Sequence, residues 1–454
     1  MAQQITPTIN DIHERIVDLL AREDHTSLQI YLIEQHPADI ADALELLDDE
    51  QRVEIFNLLH HEVAAEVLDE TLTEITRELT DALPDEKIAD LLEEMPMDDA
   101  AEILSELLEG RAEDLIGLME PDEAAEVQNL LSYPDQSAGR LMTTKVVRLE
   151  ASWTVEQALE AMRHIDKEVE TLAYLFVVNG NQQLVGVLPV WSLLTANPDI
   201  PISELLDPDV ISVGVETDQE EVARVLSQYD FFAIPVVDHD YHFVGIITHD
   251  DVIDILVDEF SEDIQRLGGT EPLENTYFST SIPRMVRHRV GWLLLLFITA
   301  TLTGTIMRLY ESTLAVVLAL SFFIPLLIGT GGNAGSQITA IIIRALAIGE
   351  VHFRDIWRVF SRELLTGLIL GAVMALAGFL RAVTWGTSMN LALTVAFSLC
   401  ALVLWANLIG MLLPLLAHRF HIDPTVISGP LVSILVDTTG LLLYFTLARL
   451  ILRL

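Results

Sequence analysis

The chain has 454 residues and a formal net charge of −44, although 51% of its residues are hydrophobic. So large an acidic excess argues against a nucleic-acid partner, because phosphate would be repelled, and it suits the binding of divalent cations by carboxylate oxygen. The single cysteine, Cys400, excludes an intrachain disulfide and a cysteine-based metal site.

The charge is divided unevenly along the chain. Residues 1–283 hold 13 Lys/Arg and 63 Asp/Glu, whereas residues 284–454 hold 12 and 6. The first part has no run of 18 or more apolar residues and no signal-like start, so we expect it to remain in the cytosol. The boundary near Arg284 therefore predicts a change of solvent from water to membrane.

Residues 9–130 are predicted to form short helices that stack into a superhelical, all-α N-domain, residues 1–137. Similar phrases recur at Leu46–Leu59, Met95–Leu107 and Met119–Leu131. Each opens on proline or acidic residues, which suit a helix N-terminus, and continues with apolar residues at three- and four-residue spacing. Recurring units of this kind are typical of helical stacks.

Between about 142 and 256 the chain twice alternates strand-like and helix-like segments. The first unit is predicted to contain strand Lys145–Leu149, helix Val155–His164 and strands Tyr174–Val178 and Val185–Val187. The second is predicted to contain strand Val210–Val215, helix Gln219–Tyr229, strands Ala233–Val237 and Phe243–Thr248, and helix Asp251–Val257. The doubled α/β unit resembles a tandem pair of CBS domains, residues 138–200 and 201–257.

An acidic connecting helix, residues 258–283 with a break at Gly268-Gly269, is expected to lead into a membrane domain, residues 284–454. Hydropathy predicts five spans, at about 290–307, 314–346, 364–381, 391–417 and 426–449. The second and fourth exceed the ~20 residues that a bilayer core needs, so tilt or a break is expected, with a kink at Pro325.

Positive residues predict the orientation of these spans. They cluster before the first span, after the second and after the fourth, at Arg284, Arg287, Arg289, Arg344, Arg354, Arg358, Arg362, His418 and Arg419. These loops share one side of the membrane, and the positive-inside rule makes that side the cytosol. The N-terminus is then cytosolic and the C-terminus outside the cell (inner) membrane.

Asp437 is the strongest candidate for chemistry, because an aspartate at the centre of a membrane helix costs about 2.5–3.5 kcal/mol on insertion scales. Helical spacing predicts that Gly429, Ser433, Asp437 and Gly440 form one small, polar stripe. Such a stripe lines a water-filled path or allows close helix packing. The alternative is a buried carboxylate that pairs with an arginine or a hydroxyl group to support assembly.

A second candidate is Gly329–Gln337 in span two, where four glycines leave the backbone and small polar side chains accessible. Oxygen atoms of Asn333, Ser336 and Gln337 would suit a hydrated divalent ion such as Mg²⁺, which gives up its water reluctantly. As a bare pattern, the segment is equally consistent with tight helix packing. Together with Asp437 it favours a cation path.

The third candidate is cytosolic. Asp98, Asp99 and Glu102 share one predicted helix, and a second acidic set is formed by Asp250, Asp251, Asp254, Asp258, Glu259, Glu262 and Asp263. Carboxylates that repel one another need a cation when domains bring them together, so Mg²⁺ would favour docking and its loss would oppose docking.

The segments Gly329–Gln337 with Arg344–Ala347, Trp405–Gly410 and Pro430–Gly440 are similar to signatures of the MgtE family of magnesium channels, and the match covers nearly the whole chain. The resemblance implies a homodimer with a pore between spans two and five, where Asp437 of each subunit selects Mg²⁺. It also implies closure by cytosolic Mg²⁺ through the connecting (plug) helix. The implied sensor carboxylates are Glu66, Asp98, Glu102, Asp218, Glu220, Asp230, Asp251, Asp254, Glu259, Glu262 and Asp263.

One departure from the family concerns nucleotide binding. Some members bind ATP between the CBS domains with an Arg-Asp pair, where this chain has Trp191 and Ser192. The aromatic positions Tyr174 and Phe231 remain, but ATP is not predicted as a ligand. Ser336 stands where some relatives have asparagine, and both can present an oxygen atom.

These observations predict a multidomain α-helical membrane protein with a helical N-domain, α/β tandem CBS domains and five transmembrane helices. Its expected function is Mg²⁺-selective conduction, with Mg²⁺ as both transported and regulatory ion. The alternatives are a coupled secondary divalent-cation transporter and a membrane-anchored CBS nucleotide sensor. An enzyme is not expected, because no nucleophile–base constellation, Walker loop or metal triad is found in the cytosolic part.

Overall fold

The computed structural model describes residues 8–164, 169, 171–273, 277, 280–427 and 429–453. Parts of the predicted N-domain (1–7), first CBS domain (165–168 and 170) and connecting segment (274–276, 278 and 279) lie outside the described residues. The chain divides into two compact units, Met1–Asp258 and Glu259–Leu454.

From residue 8 onwards, the described N-terminal region is a stack of ten short helices. These are α1 Ile9–Ala21, α2 His25–Ile33, α3 Pro37–Glu45, α4 Asp49–Leu58, α5 His61–Asp69, α6 Thr73–Ala82, α7 Asp85–Glu94, α8 Met97–Glu106, α9 Glu109–Ile116 and α10 Pro121–Leu131. Odd-numbered helices pack on odd-numbered ones from α1 to α9, and even-numbered helices from α4 to α10 pack likewise. This two-row order confirms the predicted stack, and the three recurring phrases form α4, α8 and α10.

Local sequence explains where several of these helices begin. The side chains of Thr8 and Asp48 each accept a hydrogen bond from the third backbone amide of the following helix, and both form capping boxes. Pro37 and Pro121 lie in the first turns of α3 and α10, where the missing amide hydrogen costs nothing.

The CBS pair contains two small sheets of the same topology. Its elements are α11 Ala138–Leu141, β1 Arg148–Glu150, α12 Val155–Met162, β2 Tyr174–Val178, β3 Leu184–Pro189, α13 Val190–Thr195, β4 Val213–Gly214, α14 Gln219–Tyr229, β5 Ala233–Val237, β6 Phe243–Thr248 and α15 His249–Leu267. In each sheet the first strand pairs in parallel with the second and the second pairs antiparallel with the third. Phe176 and Phe243, one from each sheet, stack with ring centroids 5.1 Å apart.

Five predicted elements differ from the structure, and one of them, β3, is longer than predicted, at Leu184–Pro189. Strands β1 and β4 are shorter than predicted, because the ladders begin at Arg148 and Val213. Helix α12 ends at Met162 rather than His164. Helix α15 does not end at Val257 but continues to Leu267, and the two glycines that follow end it, with Gly269 at φ +75°.

Among the described residues, five helical segments are long and apolar enough to cross a membrane. They are span one Ile282–Leu309, span two Leu318–Ala347, span three Phe353–Thr384, span four Met389–Arg419 and span five Gly429–Leu452. A short helix, Glu311–Val316, precedes span two. Span two starts as a 3₁₀ segment, Leu318–Phe323, and Pro325 lies in the first turn of the α-helix Ile324–Ala347. Pro325 thus lies where span two changes from the 3₁₀ segment to the α-helix, and the predicted kink at this residue stays a prediction.

Spans two, four and five pack against one another, span three packs on span four, and span one packs on span five. Glycines permit the closest approaches. A Cβ atom at Gly410 of span four would lie 2.6 Å from the backbone oxygen of Gly335 in span two. Thr339 of span two donates a hydrogen bond to the Gly410 carbonyl oxygen at 3.2 Å. This packing determines which face of span two contacts span four and which face contacts span five.

Candidate ion path and acidic clusters

Asp437 lies in span five on the side that faces span two. Its Oδ1 atom is inaccessible to solvent and has no hydrogen-bond partner among the described residues. A carboxylate oxygen in this position carries a large desolvation cost unless a cation or water completes its environment. The pairing of Asp437 with an arginine or hydroxyl group, the alternative reading of the sequence, is not observed at Oδ1.

Spans two and five meet directly beside Asp437. A Cβ atom at Gly332 would lie 2.2 Å from Ser433 Oγ and 3.4 Å from Asp437 Oδ1, so only glycine leaves both oxygen atoms undisturbed. One turn further, Ser336 Oγ donates a hydrogen bond to the Gly429 carbonyl oxygen at 3.1 Å. Ser336, Ser433 and Asp437, all predicted from sequence, are thus brought to one helix–helix contact.

Gly440 is the exception in the predicted stripe. A Cβ atom there would lie 2.2 Å from Leu402 Cδ1, so Gly440 packs on span four and does not line the Asp437 side. Gly440 lies three residues after Asp437 and is therefore about 60° round the helix from it, which is enough to direct it to span four.

Asn333 and Gln337 have a different setting from Ser336. Both side chains are exposed, whereas Ser336 is half-buried. They are one turn apart on the same face of span two, at the middle of a membrane span. Exposed amide groups at this depth are unfavourable against lipid, so this face requires water or another protein surface.

A second carboxylate within a span was missed by the sequence reading. The predicted third span began at residue 364, whereas the structural span is Phe353–Thr384 and includes Glu363. Unlike Asp437, Glu363 has a partner, because Asn407 Nδ2 of span four donates a hydrogen bond to its Oε2 atom at 3.2 Å. Asn407 is buried, so this pair joins spans three and four.

In the cytosolic unit, several predicted carboxylates form an acidic cluster around the end of α5. Desolvation, followed by repulsion from Glu70, Glu102, Asp251 and Asp254, raises the pKa of Asp69 to about 7. Because the Asp69 side chain keeps contact with solvent, we attribute the shift mainly to these four carboxylates. Asp69 was not predicted, and its position one turn after Glu66 in α5 was the available signal.

The other members of this cluster respond in the same direction. Desolvation, then repulsion from Glu106, Asp258 and Asp251, raises the pKa of Glu102, and the guanidinium of Arg140 opposes this rise. Desolvation also raises the pKa of Asp251, while a 2.7 Å hydrogen bond from Thr248 Oγ1 lowers it. The cluster therefore holds excess negative charge that a bound cation would relieve.

Asp98 belongs to α8 with Glu102 and is buried, 8% exposed. Glu66 is exposed on α5, one turn before Asp69. Desolvation, then repulsion from Asp250, raises the pKa of Asp254. These predicted residues are therefore distributed over three helices, α5, α8 and α15.

The predicted residues Asp218, Glu220 and Asp230 lie along one helix, α14. Asp218 caps its start by accepting a hydrogen bond from the Glu220 backbone amide at 2.9 Å. Asp230 ends it in a left-handed conformation, with φ 54°. At ~1.5 Å per residue, these two aspartates are about 18 Å apart and cannot bind one ion together within a subunit.

A further acidic group lies in the second unit, at the end of α15 and in the loop before span five. Arg266 pairs with both Glu262 and Asp423. Desolvation, followed by repulsion from Asp423 and Glu259, raises the pKa of Asp263 to about 6, and Arg266 counteracts this effect. Asp423 was not predicted, because sequence alone does not indicate that its loop meets α15.

The aromatic residues predicted for a nucleotide do not pair with each other. Tyr174 approaches Phe232, with ring centroids 6.5 Å apart, whereas Phe231 stacks on Tyr229. Trp191 is exposed on α13.

Within the described residues, no three His, Cys, Asp or Glu side chains form a group with metal-binding geometry. The Asp437 side of span five therefore offers one carboxylate beside the hydroxyl oxygens of Ser433 and Ser336, while the amides of Asn333 and Gln337 lie on an exposed face of span two. Such a set suits a hydrated divalent cation held through its water shell, because Mg²⁺ dehydrates reluctantly. The acidic clusters offer negative charge without a preformed coordination shell.

Comparison with known proteins finds matches in the N-terminal, CBS and membrane regions of the chain. A family model named MgtE and described as a divalent cation transporter matches residues 324–447, the MgtE intracellular N domain matches residues 35–136, and the CBS domain matches residues 138–199 and 202–258. The magnesium transporter MgtE of Thermus thermophilus is 40% identical over 442 residues, which cover 96% of this chain and 97% of that protein.

Two solved structures resemble the N-terminal half. The soluble part of a magnesium transporter has a TM-score of 0.51 and 31% identity, covering 56% of this chain and 99% of its own. The cytosolic domain of the Mg²⁺ channel MgtE in complex with ATP has a TM-score of 0.52 and 35% identity, covering 54% of this chain and 99% of its own. With its helical N-domain, CBS pair and five membrane helices, this chain belongs to the MgtE family and is a multi-pass membrane protein.

Proposed function

We propose that the protein passes Mg²⁺ across the cell membrane, along a path between spans two and five with Asp437 as the main ligand. The observation that carries this proposal is Asp437 Oδ1, a carboxylate oxygen at membrane depth that is inaccessible and has no partner among the described residues. A helix that only anchors the protein would not require this aspartate, because inserting an aspartate at the centre of a membrane helix costs about 2.5–3.5 kcal/mol.

The neighbouring oxygens complete the proposed site. Ser336 and Ser433 lie at the contact between the two spans, and the exposed amides of Asn333 and Gln337 project from the adjoining face. These groups would bind the water shell of Mg²⁺ and orient it towards Asp437. Because the amide face needs water or protein rather than lipid, we propose that a second copy of the chain completes the path as a homodimer.

The relatives support Mg²⁺ as the ion, since the Thermus thermophilus protein is named a magnesium transporter and is similar over nearly the whole chain. The distribution of arginines supports an inner-membrane protein with its N-terminus in the cytosol and its C-terminus outside.

We propose the following domain limits: the N-domain is 1–137, the two CBS domains are 138–200 and 201–257, the connecting helix is 258–283, and the pore domain is 284–454.

We further propose that cytosolic Mg²⁺ closes the path by neutralising the acidic clusters. The raised pKa values of Asp69 and Asp263 support excess negative charge in the N-terminal unit and beside the start of span five. Bound Mg²⁺ would favour the compact arrangement of the cytosolic domains, and its loss would free them. Glu259, Glu262 and the other predicted carboxylates would contribute charge, and Asp218 and Asp230 would act at separate sites.

The test of the path is Mg²⁺ flux into liposomes containing the purified protein. Asp437→Asn keeps the shape and removes the charge, and we expect Mg²⁺ uptake to fall by about ten- to a hundredfold, as loss of a charged ligand predicts. Glu363→Gln is the matched control, because it neutralises another carboxylate within a span, one that already accepts a hydrogen bond from Asn407. Unchanged uptake by Asp437→Asn would refute the assignment.

Two further measurements separate the alternatives. Single-channel recording with varied Mg²⁺ on the cytosolic side should give ohmic currents, whereas a requirement for a second ion gradient would indicate coupled transport. A protein truncated before Tyr277 should conduct even at high Mg²⁺. Retained inhibition in this variant would contradict the sensor role of the cytosolic domains, and absence of any Mg²⁺ flux in the full chain would favour a membrane-anchored sensor.

A further inference from the structure

Asp437 is followed by two threonines that are each hydrogen bonded to a different neighbouring span. Thr438 Oγ1 lies 3.0 Å from Thr303 Oγ1 of span one. The indole Nε1 of Trp405 in span four donates a hydrogen bond to Thr439 Oγ1 at 2.8 Å. Thr439 in turn donates its own hydrogen to the Leu435 carbonyl oxygen at 2.7 Å, so its hydroxyl oxygen is free to accept from the indole.

The bond between Thr303 and Thr438 differs from the ordinary behaviour of threonine in the same membrane helices. Thr299, Thr305 and Thr446 each donate to the carbonyl oxygen four residues earlier in their own helix. Thr303 and Thr438 instead bond to each other across two spans. A hydroxyl–hydroxyl bond between helices is a specific tether, because an apolar surrounding offers either group few other partners.

The side chains of Asp437, Thr438 and Thr439 point in three directions, because successive residues of an α-helix are rotated by about 100°. Thr438 is tied to span one, Thr439 to span four, and the Gly429 carbonyl to Ser336 of span two. Span five is therefore tethered from three sides, and Asp437 lies between two of these tethers. A helix rotation of about 20° would move a carboxylate ~5 Å from the helix axis by roughly 2 Å.

We propose that Trp405 and Thr303 are positioning residues that fix the rotation of span five and thereby aim Asp437 at the passing ion. This inference rests on the proposed function of Asp437 and adds a specificity role for residues that never touch the ion. A hydrated Mg²⁺ and a larger, more easily dehydrated divalent cation differ in the ligand positions they require. A rigidly aimed carboxylate discriminates between them, and a loosely held one does so less.

Packing alone is the competing explanation for Trp405. Its ring also lines an apolar cavity of about 300 Å³ with Ile356, Trp357, Phe360, Leu408, Met411 and Leu412. Trp405→Phe keeps an aromatic ring in this cavity but removes the hydrogen-bond donor together with part of the ring volume, so a control for lost volume is needed. Leu408→Ala changes the same cavity and leaves the hydrogen bond in place, so it is the matched packing control.

The test is the ratio of Mg²⁺ to Ca²⁺ flux in liposomes, together with the Mg²⁺ concentration that gives half-maximal flux. We expect Trp405→Phe, Thr439→Val and Thr303→Val each to lower the ratio by about three- to tenfold, as loss of one hydrogen bond predicts. The double variant Trp405→Phe with Thr439→Val should lower it no further than either single change, because both remove the same bond. Leu408→Ala should keep the wild-type ratio.

A wild-type ratio in Trp405→Phe and Thr303→Val, or additive effects in the double variant, would overturn the proposal. If Trp405→Phe does not assemble, Thr303→Val tests the other tether by the same ratio. The wild-type protein and Asp437→Asn are measured in parallel. Failure of the wild type to pass Mg²⁺, or full flux in Asp437→Asn, would refute the proposed function. If Asp437→Asn is inactive but the Trp405 and Thr303 variants keep the wild-type Mg²⁺ to Ca²⁺ ratio, only the positioning role is refuted.

Discussion

Gly410 lies where span four approaches the backbone of span two, and we expect Gly410→Ala to destabilise the membrane unit. The added Cβ would stand 2.6 Å from the Gly335 carbonyl oxygen and 2.4 Å from Ile338 Cγ2. The Ile338 side chain can rotate away, but the carbonyl group is part of a helix and cannot. The two spans must therefore separate.

The size of the effect follows from these distances. An ordinary contact is 3.4 Å or longer, so the spans must move apart by about 0.8 Å at this point. The same movement would lengthen the contact from Thr339 Oγ1 to the Gly410 carbonyl oxygen from 3.2 Å to about 4 Å, but this hydroxyl keeps its 2.9 Å hydrogen bond to the Gly335 carbonyl oxygen of its own helix. Overpacking costs about 1–3 kcal/mol, so we expect a loss of this size.

The assay is the free energy of unfolding of the full-length protein in mixed micelles, titrated with SDS. Gly304→Ala in span one is the control, because no atom of the described residues, apart from its own stretch of helix, lies within 4 Å of the added Cβ. The better helix propensity of alanine predicts a gain of up to about 1 kcal/mol for this variant. If Gly410→Ala unfolds at the wild-type free energy, the backbone contact between spans two and four does not have the importance we assign to it.

Three further outcomes are expected. Folding raises the pKa of Asp69 from 3.8 to about 7, so ionisation of this carboxyl opposes folding increasingly between pH 4 and pH 7. In Mg²⁺-free buffer, Asp69→Asn should therefore raise the Tm. The gain should grow over this pH range and then level off. A gain independent of pH would contradict this explanation. Arg266→Met removes the cation that pairs with Asp423, and we expect it to lower the Tm more without Mg²⁺ than with it; equal losses would argue against a shared charge balance. Isothermal titration should show little ATP binding by the wild type. The double variant Trp191→Arg with Ser192→Asp should bind ATP more tightly. Tight binding by the wild type would refute the expectation drawn from these two positions.

Much of the fold could be predicted because it depends on local properties of the chain. The charge boundary near Arg284 separated an aqueous part from a membrane part, and the period of apolar residues distinguished helices from strands. The bounds of α14, β2, β5 and β6 matched the structure, since turn residues and helix caps lie within a few positions of each boundary. An aspartate in an apolar segment also indicated Asp437 as a functional residue without any knowledge of its neighbours.

Other features depended on contacts between segments that are distant in sequence, and only the tertiary structure decided them. Packing placed Gly440 against span four rather than on the Asp437 side, and it brought Asp69 beside carboxylates of α8 and α15. Thr303 gave no signal in the sequence, and Trp405 entered only as part of the family signature Trp405–Gly410, because the role of a tryptophan or threonine in an apolar run is not apparent until its partner is known. The sequence by itself thus determined which residues are costly to place in a membrane. The tertiary structure decided which neighbours contact those residues, because helix packing, and not local composition, sets the direction of a side chain.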